Sequence, residues 1–320
     1  MLIAILLFTL GLLCLIKGGD WFVDGATSIA ERFHVPEILI GATVVSIGTT
    51  IPEVMVSATS AISGHGEIAY GNAIGSVICN CSLIAAITIA FRPSAIDRSS
   101  LKTPLIFFST AALVYMVSAY VSGSFSRPVG FLLLALFVVY MILTIRQAFS
   151  SSSQREEMES RPEQSLAKNL LLLVGGAVLI AVGANLLVEN GTIIAKKLSV
   201  QESVIALTFI ALGTSLPELV TAITALVKGH SDLSLGNVIG ANLFNLVLVS
   251  GLATVLSPFT LPQEKLFAGM NASLVIDIPV MLLVMLLINV PAMLKGRLYR
   301  IQGVLLLMIY TLFCLFQFLN

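Results

Sequence analysis

The chain reads as an all-α polytopic membrane protein: ten transmembrane helices in two inverted five-helix repeats, with broken helices at the midplane. Three observations predict this. Of its 320 residues, 57% are hydrophobic and 11% are charged, with a mean hydropathy of +1.01. That is more apolar surface than a soluble domain of this size needs. The apolar residues gather in runs of about 20, enough to cross a bilayer core as a helix. The second half also repeats the first at a constant offset of 165 residues.

In chain order the runs are 2–19, 37–62, 68–91, 103–122, 128–147, 168–188, 202–227, 233–257, 270–290 and 300–319. The first has no basic stretch ahead of it and no small-residue cleavage site after it, so it is expected to be a retained span. Residues 1–149 hold the first five spans and residues 168–320 the second five. Between them, 150–167 carry Ser150-Ser151-Ser152-Ser153 and Arg155-Glu156-Glu157 and read as a polar cytoplasmic linker. Of the 17 Lys and Arg, only Arg127, Lys196, Lys197 and Lys265 fall on the side reached after even-numbered spans. The excess of positive charge marks the other side as cytoplasmic, so both termini are expected outside a cell (inner) membrane.

Net charge is zero, which leaves no electrostatic footprint for nucleic acid. No protein partner is indicated beyond the lipid bilayer. Cys14, Cys79, Cys81 and Cys314 lie within spans and lack metal or redox spacing, and they read as small buried residues.

The repeat shows in residues that seldom match by chance. Gly18, Ala30 and Val35 match Gly183, Ala195 and Val200. Gly48, Thr49, Pro52 and Glu53 match Gly213, Thr214, Pro217 and Glu218. Gly64-His65 matches Gly229-His230, Gly71-Asn72 matches Gly236-Asn237, Ile74-Gly75 matches Ile239-Gly240, and Asn80 matches Asn245. Five spans per repeat is an odd number, so the halves must enter the membrane with opposite polarity. Inverted repeats place a site near the midplane, where they meet.

Two carboxylates stand in that duplicated setting, Glu53 and Glu218. An ionised acid at bilayer depth costs roughly 3 kcal/mol on insertion scales. Pro52 and Pro217 each deprive the carbonyl four residues earlier, on Gly48 and Gly213, of its helical partner. Such carbonyls are tolerated in a membrane only if something satisfies them. A cation would do so, and the carbonyl end of a half-helix attracts one. A plain proline kink beside a neutral acid is the simpler reading, and the duplication argues against it.

In the second motif, Asn72, Ser76 and Asn80 share a helical face, as do Asn237, Ala241 and Asn245. Asn80 and Asn245 are read as ion contacts. Asn72 and Asn237 are read as helix-to-helix links, and Gly71 and Gly75 as a face for close helix approach. All ligands offered are oxygens, which suits a hard cation. Two bidentate carboxylates and two carbonyls would supply about six ligands, within the Ca2+ range, whereas Mg2+ wants a smaller octahedron. Without a divalent ion the two acids repel, so a proton or monovalent cations must take its place.

With these motif copies in order, the chain resembles the cation/Ca2+ exchanger superfamily, specifically its Na+/Ca2+ exchanger branch, in the prokaryotic form without a regulatory domain. The resemblance spans nearly the whole chain. It implies that Glu53, Glu218, Thr49 and Thr214 bind Ca2+. It implies flanking Na+ positions at Thr50, Ser215, Ser46, Ala211 and Ser76, and sliding of the first and sixth spans past a static core. Two departures stand out. Ala241 lacks the hydroxyl of its mate Ser76. Asn80 and Asn245 occupy positions where many relatives carry aspartate.

The expected function is secondary active exchange of Ca2+ against Na+ by alternating access, without a cofactor. The alternative is a Ca2+/H+ antiporter with Glu53 and Glu218 as proton carriers. Proton-coupled relatives usually carry Gly-Asn-x-x-Glu in place of Gly-Thr-x-x-Pro-Glu, which favours Na+. An intramembrane enzyme would need a nucleophile–base pair or His-Glu-x-x-His, and neither is present. A channel would not need inverted duplication. Asp277, mid-span, is read as hydrogen-bonded to a neighbouring helix. Asp20 and Asp24 are read as interfacial, His34, His65 and His230 as loop residues, and Trp21 as an interfacial anchor.

Overall fold

A computed structural model describes residues 1–93, 98–152, 165–198, 213–262 and 266–319. Among the described residues there are ten helical segments: α1 (Leu2–Arg32), α2 (Glu37–Ile62), α3 (Gly66–Phe91), α4 (Ser100–Ser122), α5 (Arg127–Ser152), α6 (Leu166–Lys197), α7 (Leu216–Lys228), α8 (Ser231–Leu256), α9 (Ser273–Lys295) and α10 (Arg300–Leu319). All but α7 are long and apolar enough to cross a membrane. The first half of the expected seventh span, 202–212, lies outside the described residues, as do 153–164 of the expected linker. Helix α5 runs through Ser152 and α6 begins at Leu166, so both encroach on the linker expected at 150–167.

The first and sixth spans are longer than expected. They were bounded at 19 and 188, where polar residues interrupt the apolar run, yet α1 reaches Arg32 and α6 reaches Lys197. The helix tolerates Asp20 and Asp24 because both are paired. Lys228, at the end of α7, lies 3.3 Å from Asp20 Oδ1 and 2.8 Å from Asp24 Oδ1. Glycines spaced seven residues apart, Gly11, Gly18 and Gly25 on α1 and Gly176 and Gly183 on α6, let the two helices touch at backbone distance. Any Cβ on Gly11 would stand 2.9 Å from the Gly183 carbonyl, and one on Gly18 would stand 2.8 Å from the Ile180 nitrogen and 3.0 Å from the Gly176 carbonyl.

This contact exposes the symmetry. At the 165-residue offset Gly11 corresponds to Gly176 and Gly18 to Gly183. Gly11 meets the mate of Gly18, and Gly18 meets the mate of Gly11. The helices therefore run antiparallel about a pseudo-twofold axis, as two repeats of opposite polarity require.

Elsewhere α8 packs against the first part of α2, and α2, α3, α7 and α8 enclose the centre. Two short strands, β1 (Ser124–Phe125) and β2 (Phe259–Thr260), clasp the α4–α5 and α8–α9 connections as an antiparallel pair. A second pair, β3 (Leu266–Phe267) and β4 (Met270–Asn271), lies within the α8–α9 connection. Phe125 is buried between Tyr115 and Phe259, at ring distances of 4.5 Å and 5.0 Å.

The surroundings of the two motif prolines differ between repeats. Pro217 lies in the first turn of α7, and Gly213–Ser215 ahead of it form a turn. Pro52 instead lies inside a continuous helix. The irregularity of α2 comes earlier, as a π turn over Gly41–Val45 in which the Ser46 N–H reaches back five residues to the Gly41 carbonyl.

Candidate ion-binding site

On α2, positions i, i+3, i+4 and i+7 share one face, which brings Ser46, Thr49, Thr50 and Glu53 into line. All four are buried. In α7, Ser215 caps the helix and Glu218 lies in its first turn, both buried, with Thr214 half-buried in the turn ahead. Helix α3 contributes Ser76 and Asn80, and α8 contributes Asn245. Ala211 lies outside the described residues.

Asn80 and Asn245 each open a π turn, Asn80–Ile84 and Asn245–Val249. In each the N–H five residues on, of Ala85 or Ser250, bonds the asparagine carbonyl. Both turns face the other site helices: α7 packs on the turn at Asn80, and α2 and α3 pack on the turn at Asn245. Such bulges widen the helix and concentrate at functional sites.

The central observation is a set of three mirrored pairs. Glu53 and Glu218, Thr50 and Ser215, and Asn80 and Asn245 are all buried. Both carboxylate oxygens of each Glu, both hydroxyls, and every amide oxygen and nitrogen in this set make no hydrogen bond among the described residues. Buried polar groups are almost always paired, and leaving one unpaired costs about 1–3 kcal/mol. Here the unpaired groups come in symmetric pairs from four helices. Glu218 lies beside Thr49 and Thr50 of the other repeat, within electrostatic range of Glu53. The two acids thus share one enclosed region with hydroxyl and amide oxygens. That donor set suits a hard cation and would balance a divalent charge.

A second layer fixes these residues. Asn72 Nδ2 donates to the Glu53 carbonyl at 3.3 Å and to Ser57 Oγ at 2.9 Å. Thr49 Oγ1 donates to Asn237 Oδ1 at 3.2 Å. Ser46 Oγ lies 2.7 Å from the Gly41 carbonyl and 2.9 Å from the Asn237 carbonyl, and its one proton serves one at a time. Asn72 and Asn237 are therefore helix-to-helix links, as expected from their spacing. The hydroxyl of Ser46 is turned to backbone, and its carbonyl lies 3.4 Å from Thr49 Oγ1.

Sequence reasoning passed over Thr221. It is fully buried one turn beyond Glu218, and its hydroxyl has no partner among the described residues. Its signal was the i+3 spacing, hidden because its offset mate is Val56. Asp277 accepts a hydrogen bond from Gln317 Nε2 of α10 at 2.9 Å, the neighbouring-helix role expected for it. His230 is not a free loop residue. Its Nδ1 lies 2.8 Å from Glu37 Oε1, joining the α7–α8 turn to the start of α2. A surface cavity of about 560 Å3 beside His65, Phe125 and Phe259 contains none of the site residues.

Residues 3–146 and 168–319 match the family model described as sodium/calcium exchanger protein. The chain belongs to the sodium/calcium exchanger family. The exchanger is 34% identical to the inner membrane protein YrbG of Escherichia coli, over 81% of each chain. It is 29% identical to the sodium/calcium exchanger MaX1 of Methanosarcina acetivorans, over 98% of each. Among solved structures it is similar to the sodium–calcium exchanger NCX_Mj, studied after soaking with Na+ and Sr2+. The TM-score is 0.82, with 31% identity and 97% of each chain covered. The exchanger is thus a multi-pass, helical membrane protein of an antiporter family, whose ions are cargo.

Proposed function

We propose that the exchanger carries Ca2+ in one direction and Na+ in the other by alternating access. Ca2+ is held between Glu53 and Glu218 with oxygens of Thr49 and Thr214. Na+ takes flanking positions at Ser46, Thr50, Ser76, Ala211 and Ser215, and Asn80 and Asn245 supply neutral amide oxygens. The observation that carries this reading is the three mirrored pairs of buried polar side chains that have no partner among the described residues. Two carboxylates in one low-dielectric region need positive charge beside them. One divalent ion or several monovalent ions supply it in mutually exclusive ways, which is the physical basis of exchange. The cell membrane with both termini outside is the setting consistent with the Lys/Arg distribution.

The test is Ca2+ uptake into proteoliposomes with an imposed Na+ gradient and clamped pH. Uptake driven by outward Na+ supports the reading. Uptake indifferent to Na+ and driven by a proton gradient would instead support the Ca2+/H+ alternative.

A further inference from the structure

Helix α5 supplies none of the ion-site residues, yet one of its side chains touches two elements that do. Tyr140 is fully buried. Its hydroxyl donates to the Ala42 carbonyl at 2.7 Å. Ala42 lies inside the π turn Gly41–Val45, where Ser46 N–H bonds Gly41. The shifted register opens Ala42 to an outside donor. The turn leads directly into the run from Ser46 to Glu53. The Tyr140 ring meets Phe244 edge-on at 6.0 Å and Phe107 at 5.6 Å. Phe244, itself fully buried, immediately precedes Asn245. One side chain thus braces α2 of the first repeat and α8 of the second from behind. The repeat does not duplicate the device: the offset mate of Tyr140 is Leu305, which has no hydroxyl.

We infer that Tyr140 is a positioning residue for the ion site. Its hydroxyl holds the π turn that sets the register of Ser46, Thr49, Thr50 and Glu53. Its ring backs Phe244, and so Asn245. The inference rests on the proposed function, because it assigns Tyr140 a part in ion binding there. Removing the hydroxyl takes its donor from the Ala42 carbonyl and lets the turn relax, which changes oxygen spacing more than it changes the fold.

The test is Ca2+ binding to the purified full-length protein by equilibrium titration, with KM and maximal rate of Na+-driven uptake measured alongside. Tyr140→Phe keeps the ring and removes only the hydroxyl. Tyr120→Phe is the control for loss of a tyrosine hydroxyl as such, at a half-exposed position. It also loses a tyrosine-to-carbonyl bond, from Tyr120 Oη to the Leu274 carbonyl, but on α4 and away from the site. Tyr140→Phe should weaken Ca2+ binding and raise KM about five- to tenfold, the scale of one lost buried hydrogen bond. Maximal rate and thermal midpoint should change little, and Tyr120→Phe should leave KM unchanged. An unchanged KM in a folded Tyr140→Phe, an equal shift in Tyr120→Phe, or failure of Tyr140→Phe to fold would each overturn the inference. A wild type that binds no Ca2+ would defeat the proposed function, and this inference with it. A wild type that binds, with Tyr140→Phe indistinguishable, defeats the inference alone.

Discussion

Gly240 of α8 lies directly against Ser46 of α2: a Cβ on Gly240 would stand 2.2 Å from Ser46 Oγ and 2.7 Å from both Cα and carbonyl oxygen of Ala42. The two repeats touch at backbone distance just where the ion-site face of α2 begins. Gly240→Ala should therefore push α2 away, at an overpacking cost of about 1–3 kcal/mol, and depress exchange more than expression. Adding Ser46→Ala should not restore activity, because the Ala42 backbone still obstructs the methyl. Full rescue in the double variant, read by uptake and thermal midpoint, would show that Ser46 alone sets the spacing.

Glu53→Gln and Glu218→Gln each remove one charge from the enclosed pair and keep its shape. Losing one member of a buried charged contact typically costs about 2–5 kcal/mol, which is roughly 30-fold or more in affinity. Each variant should stay folded and lose Ca2+ uptake. Uptake at the wild-type rate by either would remove that residue from the site.

Asn245→Asp adds a third carboxylate to a region that already holds two. Like charges this close in a low-dielectric setting favour extra protons or extra cations. The variant should therefore show a new pH dependence between about pH 5 and 8 and an altered Na+ requirement. Asn80→Asp, its mirror, should shift the same properties in the same direction. Kinetics identical to wild type over that range would place these side chains outside the ion's reach.

Lys228 joins the end of α7 to Asp20 and Asp24 of α1. The two acids are 39% and 53% exposed, so solvent screens the pairs and their removal should cost under about 1 kcal/mol. Lys228→Gln should leave the thermal midpoint nearly unchanged. If α1 moves against the remaining helices during exchange, the same substitution should change turnover. An unchanged rate would mean that the tether does not limit the motion.

Much of the fold could be read from the sequence because the duplication falls on residues with distinctive chemistry. Gly, Pro, Asn and Glu at one offset identified the repeats, and oxygen-bearing residues among apolar ones identified α2, α3, α7 and α8. The ends of α1 and α6 could not be read, because Asp20 and Asp24 look like interface residues until Lys228, some 200 positions away, is seen beside them. The π turns carry no hydropathy signature, so the irregularity of α2 was expected at Pro52 and lies at Gly41–Val45 instead. The clasp between β1 and β2 joins two-residue strands, too short for an alternating pattern to show. In the sequence, Tyr140 is one more aromatic within an apolar run. Its role depends on which carbonyl the fold places 2.7 Å from its hydroxyl.

The central claim is that Glu53 and Glu218 hold one divalent ion between them. The most direct measurement is anomalous diffraction from crystals of the wild type and of Glu53→Gln soaked in Sr2+ without Na+. One strong peak is expected in the wild type within coordination distance, about 2.3–2.6 Å for Ca2+ and slightly longer for Sr2+, of oxygens from both glutamates, and no peak there in the variant. Separate peaks at each acid, or a single peak touching neither, would contradict it.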